Sequence, residues 1–137
     1  MNRLRKTVIG LILSVGVTGC ATSEPANAAL APIFEAIITE SEQAGPDNFY
    51  DFFTLNGARS DGDTLIIDVA LGSEGQLAYD ADAAKLEQDF IGTFSPAAPC
   101  DDPFAGPILT NGGTIRYEVV SITGRPLFSF EISNCRE

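Results

Sequence analysis

The sequence predicts a small single α+β domain, in which about four antiparallel strands form two hairpins that pack against two to three helices. Three observations lead to this class. Hydrophobic spacing gives the element order α-β-β-α-(α)-β-β. A chain of 137 residues leaves room for one domain. Cys100 and Cys135 form an even pair suited to one disulfide. We expect the helices to cover one face of the sheet.

The first predicted element is a helix from about Pro32 to Ala44. Its apolar residues recur at helical spacing, and its glutamates occupy the other side. Proline suits the first helical turn, and Gly45-Pro46 ends the helix. The apolar stripe consists of Ile33, Phe34, Ile37 and Ile38. A stripe of this composition indicates a core-facing surface.

Two strands follow, from Phe52 to Arg59 and from Thr64 to Leu71. The intervening residues 60–63 read Ser-Asp-Gly-Asp, and Asp-Gly is a strong signal for a tight hairpin turn. In the second strand Leu65, Ile67, Val69 and Leu71 alternate with the remaining residues. Alternation with a period of two predicts that one face of this strand is buried.

The sequence YDADAAKLEQDFIGTF predicts a second long helix. Asp80 or Asp82 can cap it, because a carboxylate accepts hydrogen bonds from the free amides of a first turn. Leu86, Phe90 and Phe94 then recur every four residues, and residues 95–100 break the helix. A short helical turn is expected after residue 100, capped by Asp101 or Asp102.

The second hairpin runs from Thr114 to Ile122 and from Pro126 to Ile132, where β-branched and aromatic residues dominate. The basic residues near the predicted strands are Arg59, Arg116 and Arg125. They are candidates for a polar contact with a partner. We favour the simpler interpretation that each is an exposed residue paired with a nearby acid.

Composition excludes several kinds of function. The chain has no histidine, which removes Ser-His-Asp and Cys-His catalysis and the commonest metal ligand. The net charge is −11, and it becomes −14 once the basic residues Arg3, Arg5 and Lys6 are removed with the segment before Cys20. A body this acidic is repelled by phosphate backbones, so nucleic acid is excluded as a partner.

Residues 1–20 combine a basic head, an apolar run of about a dozen residues and small residues that end at Cys20. This is the layout of a secretory signal, and the run is too short to span a bilayer of ~30 Å as a helix. Val17-Thr18-Gly19-Cys20 resembles the lipobox of bacterial lipoproteins. The resemblance implies that residues 1–19 are removed and that Cys20 carries the lipid anchor. Ala21, in place of aspartate, favours the outer membrane.

We therefore expect three parts: a signal peptide at 1–19, a lipidated N-terminus with a flexible tether at 20–31, and a globular domain at 32–137. An alternative stays open. Ala26-Asn27-Ala28 is an A-x-A site, where an ordinary signal peptidase could release a soluble periplasmic protein. Cys20 could also be an incidental small residue in an uncleaved segment.

Cys100 and Cys135 are the remaining cysteines, and an exported chain most simply joins them. Such a bridge is worth about 4 kcal/mol in the chain-entropy description. A catalytic thiol would need a neighbouring base or cation, whereas Asp101 and Asp102 would oppose thiolate formation. Two thiolates without histidine also fall short of a zinc site.

These observations favour a non-catalytic, membrane-anchored envelope lipoprotein that binds another envelope protein. A basic envelope protein is one form that this partner could take. We expect no cofactor and no metal.

The alternative is an acidic inhibitor or immunity protein against a basic hydrolase such as a lysozyme, steered by the net charge. Calcium binding at the Asp-Gly-Asp or Asp-Ala-Asp sequences is a weaker hypothesis, since neither matches a full calcium loop. An enzyme ranks third, because nothing in the sequence selects one pair of carboxylates.

Overall fold

A computed structural model describes residues 27–49 and 51–135, which form one layer of helices on a five-stranded sheet. The helices are α1 (Leu30–Ala44), α2 (Ser73–Ala81), α3 (Ala83–Phe94) and α4 (Ala105–Thr110), with a 3-10 turn at Pro99–Asp101. The strands are β1 (Asp47–Phe49), β2 (Phe53–Asp61), β3 (Thr64–Leu71), β4 (Thr114–Val120) and β5 (Pro126–Ile132). The predicted α+β class, both hairpins and the disulfide are confirmed.

The strands lie in the sheet in their order along the chain. Within each hairpin the neighbours are antiparallel, and β1 adds an antiparallel edge strand that the sequence did not reveal. The two hairpins meet through β3 and β4, which run parallel. Parallel neighbours need a long crossover, and here residues 72–113, with three helices, supply it.

The core lies between the sheet and α1, α3 and α4. From the strands come Leu65, Val69, Leu71, Ile115, Tyr117 and Val119, and the helices contribute Leu30, Phe34, Leu86, Phe90, Ala105, Ile108 and Leu109. The alternation expected for β3 and β4 is therefore present. Among the described residues, no helix has the length and apolar character needed to cross a bilayer.

Helix α1 begins at Leu30, earlier than the expected Pro32, and Leu30 is fully buried. Asn27 secures this start. Its side-chain oxygen accepts from the Ala29 N–H, and its amide group donates to the Asn111 carbonyl at 2.6 Å. Packing therefore extends the folded part slightly into the segment that the sequence analysis treats as a tether.

Helix α2 was not predicted, because it has little amphipathic character and a glycine inside it. Its first amides are satisfied by the turn between β1 and β2: the Gly72 and Glu74 N–H groups donate to the carbonyls of Phe52 and Asp51 at 2.8 and 3.0 Å. A Cβ at Gly72 or Gly75 would collide with those same carbonyls. Glycine is therefore required for this close approach.

Candidate functional site

A groove with a mostly apolar lining lies between the C-terminal half of α1 and the sheet, and we call it the α1 groove. Its volume is about 420 Å³. Its walls and ends are formed by Ile37, Glu40, Ser41, Ala44, Gly45, Asp47, Leu55, Gly57, Ala58, Ile67 and Phe104.

The helical wall of the α1 groove follows from the spacing of α1. Ile37, Glu40, Ser41 and Ala44 recur at three- and four-residue steps, so they share one face of the helix. The helix ends at Ala44, and Gly45 follows it as the C-cap with a φ of 74°. The chain then turns into β1, which closes one end of the groove.

The sheet wall is open where its residues are small, at Gly57 and Ala58. Asn56 is the extra residue of a β-bulge in β2, and Gly57 follows it with a φ of 154°. Beyond the bulge Ala58 faces the helices, where a larger side chain would fill the space. Phe104, which is 37% exposed, forms the far boundary.

The rim of the α1 groove is acidic. Glu40 and Asp47 line it, and neither takes part in an ion pair with any described residue. Helix α1 carries further glutamates and no basic residue. The groove therefore combines apolar walls with uncompensated negative charge.

A second cavity of about 360 Å³ lies on the other side of Phe104, between α3, α4 and the sheet. Tyr117 and Asp102 line it. Burial, together with the negative charge of Asp102, raises the pKa of Tyr117 from its ordinary 10.0 to about 12. Tyr117 is thus a neutral core residue at physiological pH.

The face of the sheet opposite the helices carries a row of ion pairs across four strands. Arg59 contacts Asp68 at 3.0 Å and Glu118 at 2.7 Å. Arg116 contacts Glu118 at 3.6 Å and Glu131 at 2.7 Å. Hydrogen bonds to Asp68 and to Glu131 are the main causes that raise the pKa of Arg59 and Arg116 respectively. This face compensates its own charges.

The row of ion pairs also explains why Ile66 is buried, although it lies on the face of the sheet opposite the helices. Ile66 is only 2% exposed although it lies outside the main core. Arg59 and Arg116 are its direct neighbours on β2 and β4, and directly opposite residues share a face. Their aliphatic stems therefore cover Ile66.

Arg59 and Arg116 thus have the paired, structural role that we favoured. Arg125 lies between the strands, where its N–H donates to the Ser121 hydroxyl at 3.0 Å. No described residue forms an ion pair with the Arg125 guanidinium group.

The two C-terminal cysteines are joined. Cys100, in the 3-10 turn, forms a disulfide with Cys135, and their Cα atoms are 5.1 Å apart. The bridge ties the chain beyond β5 to the segment between α3 and α4. Cys20, the predicted lipidation site, lies outside the described residues.

Several predicted carboxylates have local structural roles. Asp82, rather than Asp80, caps α3 by accepting from the Lys85 N–H at 3.2 Å. Asp102, rather than Asp101, accepts from the N–H groups of Phe104 and Ala105 at 2.9 and 2.7 Å. Within residues 27–49 and 51–135, no three histidine, cysteine or acidic side chains converge on a possible metal position.

The α1 groove was missed by the sequence analysis, which had assigned the stripe of α1 to the core. One available signal was the pair Gly57-Ala58 inside a predicted strand, because a glycine there often marks a bulge or a close backbone approach. Within the stripe, Phe34 is buried whereas Ile37 and Ile38 are half-buried, a difference that only the folded structure shows.

No protein-family model matches the sequence, and no curated protein matches it. Two solved structures are similar. A Pseudomonas aeruginosa protein that is thought to be secreted has a TM-score of 0.60 at 14% identity, over 78% of this chain and 91% of that one. The pilotin EpsS of the Vibrio vulnificus type 2 secretion system has a TM-score of 0.54 at 17% identity, over 77% and 94%. The chain shares their fold.

Proposed function

We propose that the protein is an exported envelope lipoprotein, anchored through Cys20 to the outer membrane and facing the periplasm, whose domain binds another envelope protein without catalysis. The names of the two structural neighbours support an accessory role in the envelope. The observation that carries the proposal is the α1 groove, because apolar walls left open to water are typical of a binding surface.

The position of the α1 groove suits an anchored binding module. The described chain begins at Asn27, next to the start of α1, and Cys20 precedes Asn27 by seven residues in the sequence. An α-helix rises 1.5 Å per residue, so Ala44 lies roughly 20 Å away along the helix. A partner in the groove would then meet the half of α1 that lies farther from the lipid.

Anchoring is tested by the intact mass and membrane fractionation of the wild type and of Cys20→Ser in a bacterial host. The proposal expects a wild-type chain that begins at Cys20, carries acyl mass and stays with the membranes. Cys20→Ser should lose the acyl mass. If both proteins are soluble and begin at Ala29, the anchor is wrong and a free periplasmic domain replaces it.

Binding through the α1 groove is tested by photo-cross-linking in intact cells. A benzoylphenylalanine at Ser41 should give one discrete adduct with an envelope protein, and the same probe at the exposed Gln88 of α3 should not. The adduct should be lost in Ala58→Leu, which fills the groove. It should persist in Ala70→Leu, the matched change on the opposite face of the sheet. Adducts from Gln88 alone, or an adduct insensitive to Ala58→Leu, would contradict the proposal.

The acidic rim favours one second candidate, an inhibitor or immunity protein against a basic hydrolase. Glu40 and Asp47 stay uncompensated, so a basic enzyme would be steered toward them. Inhibition of a lysozyme that is lost between 50 and 500 mM salt, and lost in Glu40→Gln/Asp47→Asn, would support this candidate. An envelope partner retained at high salt would support the first.

A further inference from the structure

One side of the sheet ends in an incomplete edge. Strand β2 runs over Phe53–Asp61, but β1 pairs only with residues 53–55. Strand β1 begins only at Asp47, since Gly45 and Pro46 separate it from α1. The chain therefore does not continue along the rest of β2. Within the described residues, the outer edge of residues 56–60 has no strand partner.

The register identifies the backbone groups that point outward at this edge. Asp61 and Thr64 flank the two-residue turn and form a hydrogen-bonded pair. Paired and outward-pointing residues then alternate along an antiparallel ladder. Ala58 and Ser60 therefore direct their N–H and C=O groups away from β3.

The open edge and the α1 groove lie side by side. Gly57 and Ala58 belong to both, and a Cβ placed on Gly57 would meet nothing within 4 Å. A strand laid along this edge would form main-chain hydrogen bonds, and its alternate side chains would enter the groove.

Resting on the proposed function, we infer that this edge accepts an extended segment of the partner protein as an additional strand in line with β1. The segment alternates apolar and polar side chains, and it carries lysine or arginine close to Glu40 and Asp47. The acidic rim selects such a segment. It also opposes pairing with a second copy of this chain, which is itself strongly acidic.

The test uses the purified mature protein and an eight-residue peptide in which valine alternates with lysine and threonine. Amide hydrogen exchange at Ala58 and Ser60 should slow at least tenfold when the peptide binds. The same peptide with N-methyl groups on its bonding amides should not bind. Replacement of its lysines by glutamates should weaken binding at least tenfold.

Other modes of binding give different results, and each would overturn the inference. An amphipathic helix in the groove would shift the side-chain resonances of Ile37 and Ser41 without slowing exchange at Ala58 and Ser60. Pairing at the opposite edge would protect β5. Protection that grows with protein concentration, without peptide, would indicate a second copy. If the alternating peptide does not bind at all, the inferred strand addition is refuted as well.

One variant and the cellular cross-link from Ser41 separate this inference from the proposed function. Ser60→Pro removes an outward donor but no bond to β3, so it should reduce peptide affinity at least tenfold. Its thermal unfolding is measured alongside, and the N-methylated peptide supplies the same comparison if this variant does not fold. If the peptide fails while cross-linking from Ser41 in cells persists, the added strand is wrong and groove binding stands. If both fail, the binding function falls as well.

Discussion

The aromatic cluster around Phe90 offers the sharpest test of the fold that positions the α1 groove. Phe90 is 4% exposed, and its ring centroid lies 4.6–6.5 Å from those of five other aromatic residues. They come from α3, β2, β4 and β5: Phe53, Phe94, Tyr117, Phe128 and Phe130. Phe90 therefore links α3 to three strands at once.

Phe90→Ala should lower the free energy of unfolding by about 4 kcal/mol. Truncating a buried phenylalanine costs roughly 3–5 kcal/mol, through lost burial and the cavity that remains. The upper half of that range applies because several edge-to-face ring contacts are lost together. A domain of this size has on the order of 5–15 kcal/mol of stability, so the variant should be close to unfolding.

The assay is urea unfolding followed by far-UV circular dichroism, since the chain has no tryptophan. With an m-value of about 1–3 kcal/mol/M, the midpoint should fall by more than 1 M. Phe104→Ala is the matched control. Phe104 is 37% exposed on the groove, so its truncation should cost only about half as much, roughly 2 kcal/mol. Equal losses in the two variants would refute the assignment of Phe90 to the core and of Phe104 to the groove.

Three further predictions concern the disulfide, a buried phenol and the open face of the sheet. Replacing Cys100 and Cys135 together by alanine should lower the unfolding free energy by about 4 kcal/mol in chemical denaturation, and an unchanged midpoint would contradict a structural bridge. Because the pKa of Tyr117 is raised to about 12, the unfolded chain releases this proton first, so stability should fall between pH 10 and 12. Tyr117→Phe should reduce that fall by on the order of 2 kcal/mol, and an identical pH profile would contradict the shift. Arg116→Ala should destabilise by about 1 kcal/mol more than Arg116→Met, which keeps the stem over Ile66; equal effects would assign the cost to charge alone.

Local patterns predicted the elements whose stability is local. Asp82 caps α3, and Asp102 accepts from two amides at the start of α4, because each closely precedes free amides. The two-residue turn Gly62-Asp63, which lies within the predicted Ser-Asp-Gly-Asp sequence, closes the β2–β3 hairpin. The alternation in β3 and β4 identified the buried face for the same reason. Such signals depend on neighbours in the chain, so the sequence contains them directly.

The features that were missed depend on contacts between distant segments. Helix α2 relies on carbonyls of the turn that precedes β2, and β1 is three exposed residues held by their pairing with β2. The parallel contact of β3 and β4 depends on how the crossover packs. The α1 groove arises where α1 and β2 separate, and no single segment encodes that separation.

The charges on the two sides of the sheet explain why binding is assigned to the groove and not to the larger open face. On the open face Arg59 and Arg116 each hold two carboxylates, so a partner there would have to break existing ion pairs before making new ones. Around the groove Glu40 and Asp47 have no such pairs with described residues, so a cationic partner gains Coulomb energy without that cost. Surface charges are screened over about 8–10 Å at physiological salt. Salt should therefore slow the association of a cationic segment while leaving its apolar contacts in the groove largely unchanged.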